Sequence, residues 1–451
     1  MSPPPTPGLS TVPTPRGGRA VTRRSLLLGG LGVGALGAGG VSASRVLPPT
    51  WLGREELIPL YSAGVAFGPS GERAFVAPGD NPFPPGTRVL PASGEVNGIR
   101  AAERELVSAV RSRVAPRWEP LTVDAILDIN ALTYGLPGPA AAWTRHWRYI
   151  WPRDSAHVCA ALAGLDRPDD VLRCLAFLAE HQRKDGHFEA RYTFEGTVPD
   201  DRTPQSDGVG WFLWAIRECC QALPEHRAAL LATTGPAASR ALRAIEADLR
   251  LLGTDGLPPP SPDYWEVPER RTTLGIAAMT LAGLQAAAEL GEDLCPEAAT
   301  AADLATDLRE AIRGEFGRRG FQRYVRGGGY DAALTFLLPP YVTGLEDEVA
   351  PLLDVAHAAM LRPAGGVAPG ESWKDDWISW TPETALFAQA YAHVGRTADA
   401  EEALAWLAAH RTSTGSLPEK VLSDGSPAAV APLSWTGALV ISTALRLAST
   451  G

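Results

Sequence analysis

Five stretches of the chain carry no Lys, Arg, Asp or Glu over helical lengths: Ser155–Leu165, Gly208–Ile216, Thr272–Ala288, Thr384–Val394 and Thr436–Leu445. A helix built from any of them has no wet face, so it must be buried on every side. Between them lie amphipathic segments. Leu242, Ile245, Leu249 and Leu252 form one apolar stripe, and Leu304, Leu308, Ala311 and Ile312 form another. Buried helix followed by outer helix, repeated, describes two concentric rings. The pairs fall at about 153–165/167–182, 206–222/236–252, 271–290/296–316, 330–337/346–361 and 380–395/398–410. A sixth pair joins the last helix, 434–448, to the early one at 98–113. The predicted architecture is therefore all-α, an (α/α)6 barrel over residues 98–451. A parallel βαβ fold needs Val/Ile-rich strands between the helices, and none is present.

Two segments precede that barrel. Residues 46–97 read as a short irregular extension, strand-like and turn-rich around Gly68, Pro69, Gly71, Pro78 and Gly79. Residues 1–45 read as a targeting segment. Thr22-Arg23-Arg24-Ser25-Leu26-Leu27-Leu28 leads into a charge-free run ending near Val41-Ser42-Ala43, which resembles a twin-arginine export signal. Seven Gly between Gly29 and Gly40 make that run a weak hydrocarbon helix. Secretion is the expectation, with membrane contact only through the signal.

Composition removes other classes. The chain has 41 Lys+Arg against 51 Asp+Glu, a net charge of −10. Arg16, Arg19, Arg23, Arg24 and Arg45 all lie in the signal segment, which holds no acid, so the body is more acidic still. Such a body is a poor partner for nucleic acid. Five Cys without CxxC or Cys/His spacing give neither a zinc site nor a disulfide framework, and Cys219–Cys220 read as buried thiols. His146 and His157 lack ligand partners at useful spacing; no metal or other cofactor is expected. Oligomeric state is not set by the sequence.

The chemistry gathers where the buried helices begin. Trp147-Arg148-Tyr149-Ile150-Trp151-Pro152-Arg153-Asp154 leads into the first, and Pro204-Gln205-Ser206-Asp207-Gly208 into the second. Pro262-Asp263-Tyr264-Trp265-Glu266 precedes the third, and Gly329-Tyr330-Asp331 the fourth. Trp373-Lys374-Asp375-Asp376-Trp377 with Trp380 precedes the fifth, and Leu417-Pro418-Glu419-Lys420 and Pro432-Leu433-Ser434-Trp435 the last. Singly, Asp154, Asp207 and Asp331 read as helix caps and Glu266 as a solvated acid. Jointly, carboxylates, Arg and Trp around one mouth suit a sugar, whose rings stack on Trp and whose hydroxyls bond to Asp and Arg. Gln182-Arg183-Lys184-Asp185-Gly186-His187-Phe188 reads instead as a structural brace.

Trp151-x-Arg153-Asp154, Gln205-x-Asp207-Gly208, Asp263-Tyr264-Trp265-Glu266, Leu417-Pro418-Glu419 and Pro432-Leu433-Ser434-Trp435, in this order, resemble the glucoamylase family, glycoside hydrolase family 15. The resemblance covers about residues 120–448. It implies an (α/α)6 barrel, exo-attack at a non-reducing glucose end and inversion of configuration. It also implies Glu266 as general acid, Glu419 as general base, and Arg153 and Asp154 gripping the terminal glucose. Trp151, Asp207, Tyr264, Trp265 and Trp435 complete the expected substrate site. Where fungal members carry a second acid after the catalytic one, this chain has Val267, and Arg326 only approximates the family's Arg near the fourth inner helix. The N-terminal β-sandwich common in bacterial relatives is absent or shrunk to about 50–95. No starch-binding appendage is expected after Gly451, so short malto- or isomalto-oligosaccharides are the expected substrates. Burial beside Trp265 is expected to keep Glu266 protonated, and Lys420 to keep Glu419 ionised.

The motifs also admit a trehalase-like activity. A non-catalytic sugar-binding toroid would need neither glutamate. A terpene-cyclase-type toroid has only Asp375-Asp376 as a candidate Asp-rich cluster.

Overall fold

The computed structural model describes residues 58–91, 96–251 and 256–450. The signal segment, the first part of the extension and Leu252 of the apolar stripe lie outside the described residues. In chain order come the hairpin β1 (Gly64–Phe67) and β2 (Arg73–Val76), then α1 (Asn97–Arg113), α2 (Glu119–Thr133), α3 (Pro152–Gly164) and α4 (Pro168–His181). Next are α5 (Asp207–Ala222), α6 (Arg227–Leu251), α7 (Leu274–Leu290), α8 (Ala301–Glu315) and a 3-10 segment, Ala332–Leu337. The short helices α9 (Glu346–Val349) and α10 (Leu353–Met360) follow, then strand β3 (Ser379–Trp380), α11 (Thr381–His393), α12 (Thr397–Ala409), strands β4 (Lys420–Val421) and β5 (Pro427–Ala428), and α13 (Ser434–Thr450).

The inner ring closes. Each member packs on the next in the order α3, α5, α7, the 332–337 segment, α11, α13 and back to α3. Outside it, α4 packs on α3, α6 on α5, α8 on α7, α10 on the 3-10 segment, α12 on α11 and α2 on α13. This is the (α/α)6 toroid, and the charge-free stretches form its inner ring. α7 shows why: from Leu274 to Leu284 every residue is buried, and Thr273 caps its start by accepting from Ile276 N–H. The inner helices also approach closely. A Cβ at Gly210 of α5 would stand 2.0 Å from the Met279 carbonyl oxygen of α7, so only glycine fits there.

Two positions, one outer and one inner, differ from the sequence expectation. The helix paired with α13 is α2, and α1 packs outside α2. α1 buries one stripe, with Leu106, Val107 and Val110 among its members, whereas α2 buries almost everything from Leu121 to Thr133. Asp124 and Asp128 disguise α2 as a surface helix. Both are neutralised by Arg88 of the extension, whose Nε lies 2.7 Å from Asp128 and whose Nη2 lies 3.2 Å from Asp124. The fourth inner element is the 3-10 segment rather than an α-helix, and Asp331 caps it by accepting from Ala333 N–H at 2.8 Å.

The extension is tied to the toroid. Val65, Phe67 and Val89 share a small core with Val96, Ile99 and Ala131, and Tyr61 N–H donates to the Ala429 carbonyl at 2.8 Å. The brace reading of 182–188 agrees with the contacts: Gln182 Nε2 donates to the carbonyls of Gly186 (2.7 Å) and Ala237 (3.1 Å). All five cysteines are buried and free.

Candidate active site

The starts of α3, α11 and α13, with the loops carrying Glu266 and Glu419, converge on one cavity of about 210 Å³. Of the residues anticipated from sequence, Trp151, Arg153, Asp154, Tyr264, Trp265, Glu266, Glu419 and Trp435 line it. Asp207 does not. It stands behind the wall, 3% exposed, with one oxygen accepting from Trp211 Nε1 at 3.1 Å. Burial pushes its carboxyl up to about 7, against the pull of Arg153.

Pro152 begins α3 and sets Arg153 and Asp154 in its first turn, where neither caps the helix by a side-chain bond. Arg153 Nη2 lies 3.0 Å from Asp154 Oδ2, and the guanidinium sits over the Trp435 ring at 4.4 Å. Arg153 Nε and Nη1 and the Trp435 indole N–H have no protein partner. Buried donors without partners are costly unless a ligand satisfies them. Burial raises the Asp154 carboxyl, with Arg153 opposing. Beneath the pair, His157 bonds the Arg153 carbonyl (2.8 Å) and the Tyr341 hydroxyl (2.9 Å). Burial lowers its pKa to about 3, so it stays neutral and positions α3 rather than titrating.

Glu266 ends a tight turn. Asp263 accepts from Trp265 N–H through its side chain (3.0 Å) and from Glu266 N–H through its carbonyl (2.8 Å). Glu266 is left at φ +54°, the left-handed region that a residue with a Cβ seldom adopts, at a cost of about 1–3 kcal/mol. The surroundings hold it there. Arg323, 1% exposed, reaches Asp331 (2.6 Å), Asp263 (3.1 Å) and Glu269 (2.7 Å), and its guanidinium lies 3.6 Å above the Trp265 ring. Arg323 thus pairs with the residue that caps the fourth inner element, whereas Arg326 is exposed.

The Glu266 carboxylate accepts from Trp151 Nε1 at 2.9 Å, and its other oxygen contacts Arg202. That corrects the expected apolar sheath. Trp265 faces Arg323 and Trp373 (ring centroids 4.9 Å), and the Glu266 side chain is 25% exposed.

Glu419 is pinned through its backbone. Its N–H donates to the Val430 carbonyl (2.8 Å), and its own carbonyl accepts from Thr381 N–H (3.1 Å). The following Lys420 pairs with Trp380 across β3 and β4. Lys420 Nζ lies 3.6 Å from Glu419 Oε2 and 4.4 Å from the Trp380 ring centroid. Lys420 therefore points at Glu419, as expected. The net effect is the reverse of the expectation, because burial raises the carboxyl by more than Lys420 and Trp147 lower it.

Glu383 was not anticipated. It lies in the first turn of α11, 3% exposed, and lines the cavity. Its signal was present: Trp380-Thr381-Pro382-Glu383 repeats the order aromatic, Pro, acid seen in Trp151-Pro152-Arg153-Asp154. Trp373 and Trp380 add aromatic wall, and His146 and Trp147 also line it. Among the described residues, no group of three or more His, Cys, Asp or Glu side chains is placed to hold a metal ion.

No family model matches the sequence, and no curated protein matches it. Solved structures do match in fold. A glycosidase solved as a glutamate-to-alanine variant in complex with glucose is similar at TM-score 0.62 and 18% identity, covering 78% of this chain and 98% of that one. A bacterial glucoamylase complexed with acarbose is similar at TM-score 0.59 and 17% identity, over 73% of this chain and 55% of that one. The glucoamylase from Saccharomycopsis fibuligera gives TM-score 0.57 and 13% identity, over 77% and 93%. The fold is that of the glucoamylase toroid, in line with the family resemblance carried by the motifs.

Proposed function

We propose that this chain is a glycoside hydrolase that releases glucose singly from the non-reducing ends of short α-glucans, with inversion. The observation that carries the reading is the pairing in one cavity of two glutamates from separate loops with an Arg153–Asp154 clamp in which Arg153 Nε and Nη1 lack protein partners. Glu266 and Glu419 are close enough for the charge of one to raise the pKa of the other. The glycosidase noted above has also been solved with a second glutamate replaced by alanine, and the sequence interval between its two replaced positions nearly equals that between Glu266 and Glu419.

In the reaction, Arg153 and Asp154 hold hydroxyls of the terminal ring, and Trp435 supplies an apolar face. Glu266, protonated, donates to the glycosidic oxygen as its bond to the anomeric carbon breaks. Glu419, ionised, takes a proton from a water that attacks that carbon from the other side. The product is the β-anomer, and a carboxyl separation of roughly 6.5–9.5 Å leaves room for the water. Trp151 directs its N–H at Glu266 and fixes that carboxyl's orientation. Export through the segment 1–45 belongs to the same proposal and rests on its twin-arginine pattern.

The test is product analysis with maltose, isomaltose, trehalose and longer glucans, following the first anomer by NMR. Glucose alone, appearing as the β-anomer from maltose or isomaltose, supports the reading. Random internal cleavage, the α-anomer, or turnover confined to trehalose contradicts it.

A further inference from the structure

We infer that Glu383 is a further substrate-binding residue whose carboxyl hydrogen-bonds a ring hydroxyl of the sugar held by Arg153. The inference rests on the glycosidase reading of the cavity.

The geometry comes first. Pro382 starts α11 and puts Glu383 in its first turn, at the mouth of the ring. The side chain is 3% exposed and lines the cavity, yet its Oε2 has no hydrogen-bond partner in the protein. A buried carboxyl oxygen left unpaired costs on the order of 1–3 kcal/mol, a cost that a bound hydroxyl would remove. Arg153 opposite has two unpaired donors of its own, so the sugar would lie between an acceptor-seeking cation and this acid.

The charge state follows from what surrounds it. Arg153 of α3 and the positive end of α11 favour the carboxylate. Burial and the carboxylates of Glu419, ahead of β4, and Asp331, ahead of the 3-10 segment, oppose it and prevail, pushing the carboxyl up to about 8. At neutral and mildly acidic pH it therefore carries its proton. In that state it can donate to a sugar hydroxyl. Glu383 is distinct from the proposed acid and base in its setting, because it hangs on the first turn of α11 whereas Glu266 and Glu419 lie in loops.

The experiment is calorimetric binding of glucose and the set of monodeoxyglucoses to wild type, Glu383→Gln and Glu383→Met, with folding checked by thermal unfolding. Glutamine keeps a donor of the same reach and methionine removes it. Glu383→Met should bind glucose at least about tenfold more weakly, equivalent to one lost net hydrogen bond, and Glu383→Gln within about threefold of wild type. One deoxy position should be penalised in wild type and not in Glu383→Met. Wild-type affinity should fall as pH rises through about 8, while Glu383→Gln stays flat.

Glucose affinity in Glu383→Met within twofold of wild type, or an equal deoxy penalty at every position in both proteins, overturns the inference. If Glu383→Met does not fold, a pH slope in Glu383→Gln equal to that of wild type overturns it. Hydrolysis of the glucan panel by wild type is scored separately. Hydrolysis with unchanged Glu383→Met binding sinks this inference alone. Absent hydrolysis with weakened Glu383→Met binding sinks the catalytic proposal and leaves Glu383 a binding residue.

Discussion

Replacing Arg323 by Met removes the cation that three buried acids share while keeping an unbranched stem of similar length. Asp263 and Asp331 are fully buried and the Glu269 side chain is 6% exposed, so water cannot take over from the guanidinium. Breaking a buried ionic cluster by deleting one sign costs about 3–5 kcal/mol, because the remaining charges are left uncompensated. For a chain of this size that corresponds to a fall in Tm of about 4–6 °C. The orphaned carboxyls can relieve themselves by protonation, so the penalty should be smaller at pH 5 than at pH 8. Activity should suffer as well. Arg323 fixes Asp263, which holds the turn that puts Glu266 at φ +54°, and a misplaced acid costs on the order of 10²-fold in kcat. Arg323→Lys keeps the charge but cannot fork between three acids and stack on Trp265, so it should recover only part of either loss. The assays are urea and thermal unfolding at both pH values and kcat on maltose. An unchanged unfolding midpoint and unchanged kcat in Arg323→Met at pH 7 would refute the reasoning.

Lys420→Met removes a cation that opposes the burial-raised carboxyl of Glu419, so the acidic limb of the kcat/KM profile should move to higher pH; a limb that stays put contradicts the contact's role. His157 has its pKa lowered from the ordinary 6.5 to about 3, so its contribution to stability is present above pH 6.5 and is lost as pH falls toward 3. Urea midpoints of His157→Gln should accordingly depend less on pH between 6.5 and 4 than those of wild type, and equal slopes would count against neutral burial. Gly210→Ala forces a Cβ against the Met279 carbonyl, so it should lower stability by about 1–3 kcal/mol on thermal unfolding; an unaltered Tm would mean that α5 and α7 are less closely apposed.

The toroid was legible because burial on all sides writes a charge-free run, and five of the six inner elements follow such runs. In the outer ring, α2 escaped because Asp124 and Asp128 look like surface residues until Arg88, far away in sequence, is seen to neutralise them. The fourth inner element was placed correctly, but six residues in a 3-10 segment leave no helical period to read. In the site, most of the motif residues converge because the starts of α3, α11 and α13 open on the same mouth. Environment was the harder part. Lys420 was read correctly as a neighbour of Glu419, yet adjacency in sequence says nothing of the burial that outweighs it. Arg202 lies in a loop with no motif of its own, so its contact with Glu266 could not be foreseen. Asp207 was drawn toward the sugar by its motif, although it answers to Trp211 behind the wall. Glu383 went unnoticed because the charge-free run begins one residue after it.

The most direct measurement on the central assignment is the rate of Glu266→Gln on α-glucosyl fluoride set beside its rate on maltose and isomaltose, with Glu419→Gln in parallel. Fluoride leaves with little proton assistance, whereas an alkoxide needs the general acid, whose contribution is about 10²–10⁴-fold. Glu266→Gln should therefore lose about that factor on both disaccharides and keep near wild-type turnover of the fluoride, while Glu419→Gln loses all three substrates because no base activates the water. Wild-type activity of Glu266→Gln on maltose and isomaltose, or equal losses on fluoride and disaccharides, would contradict the assignment of Glu266 as acid and Glu419 as base.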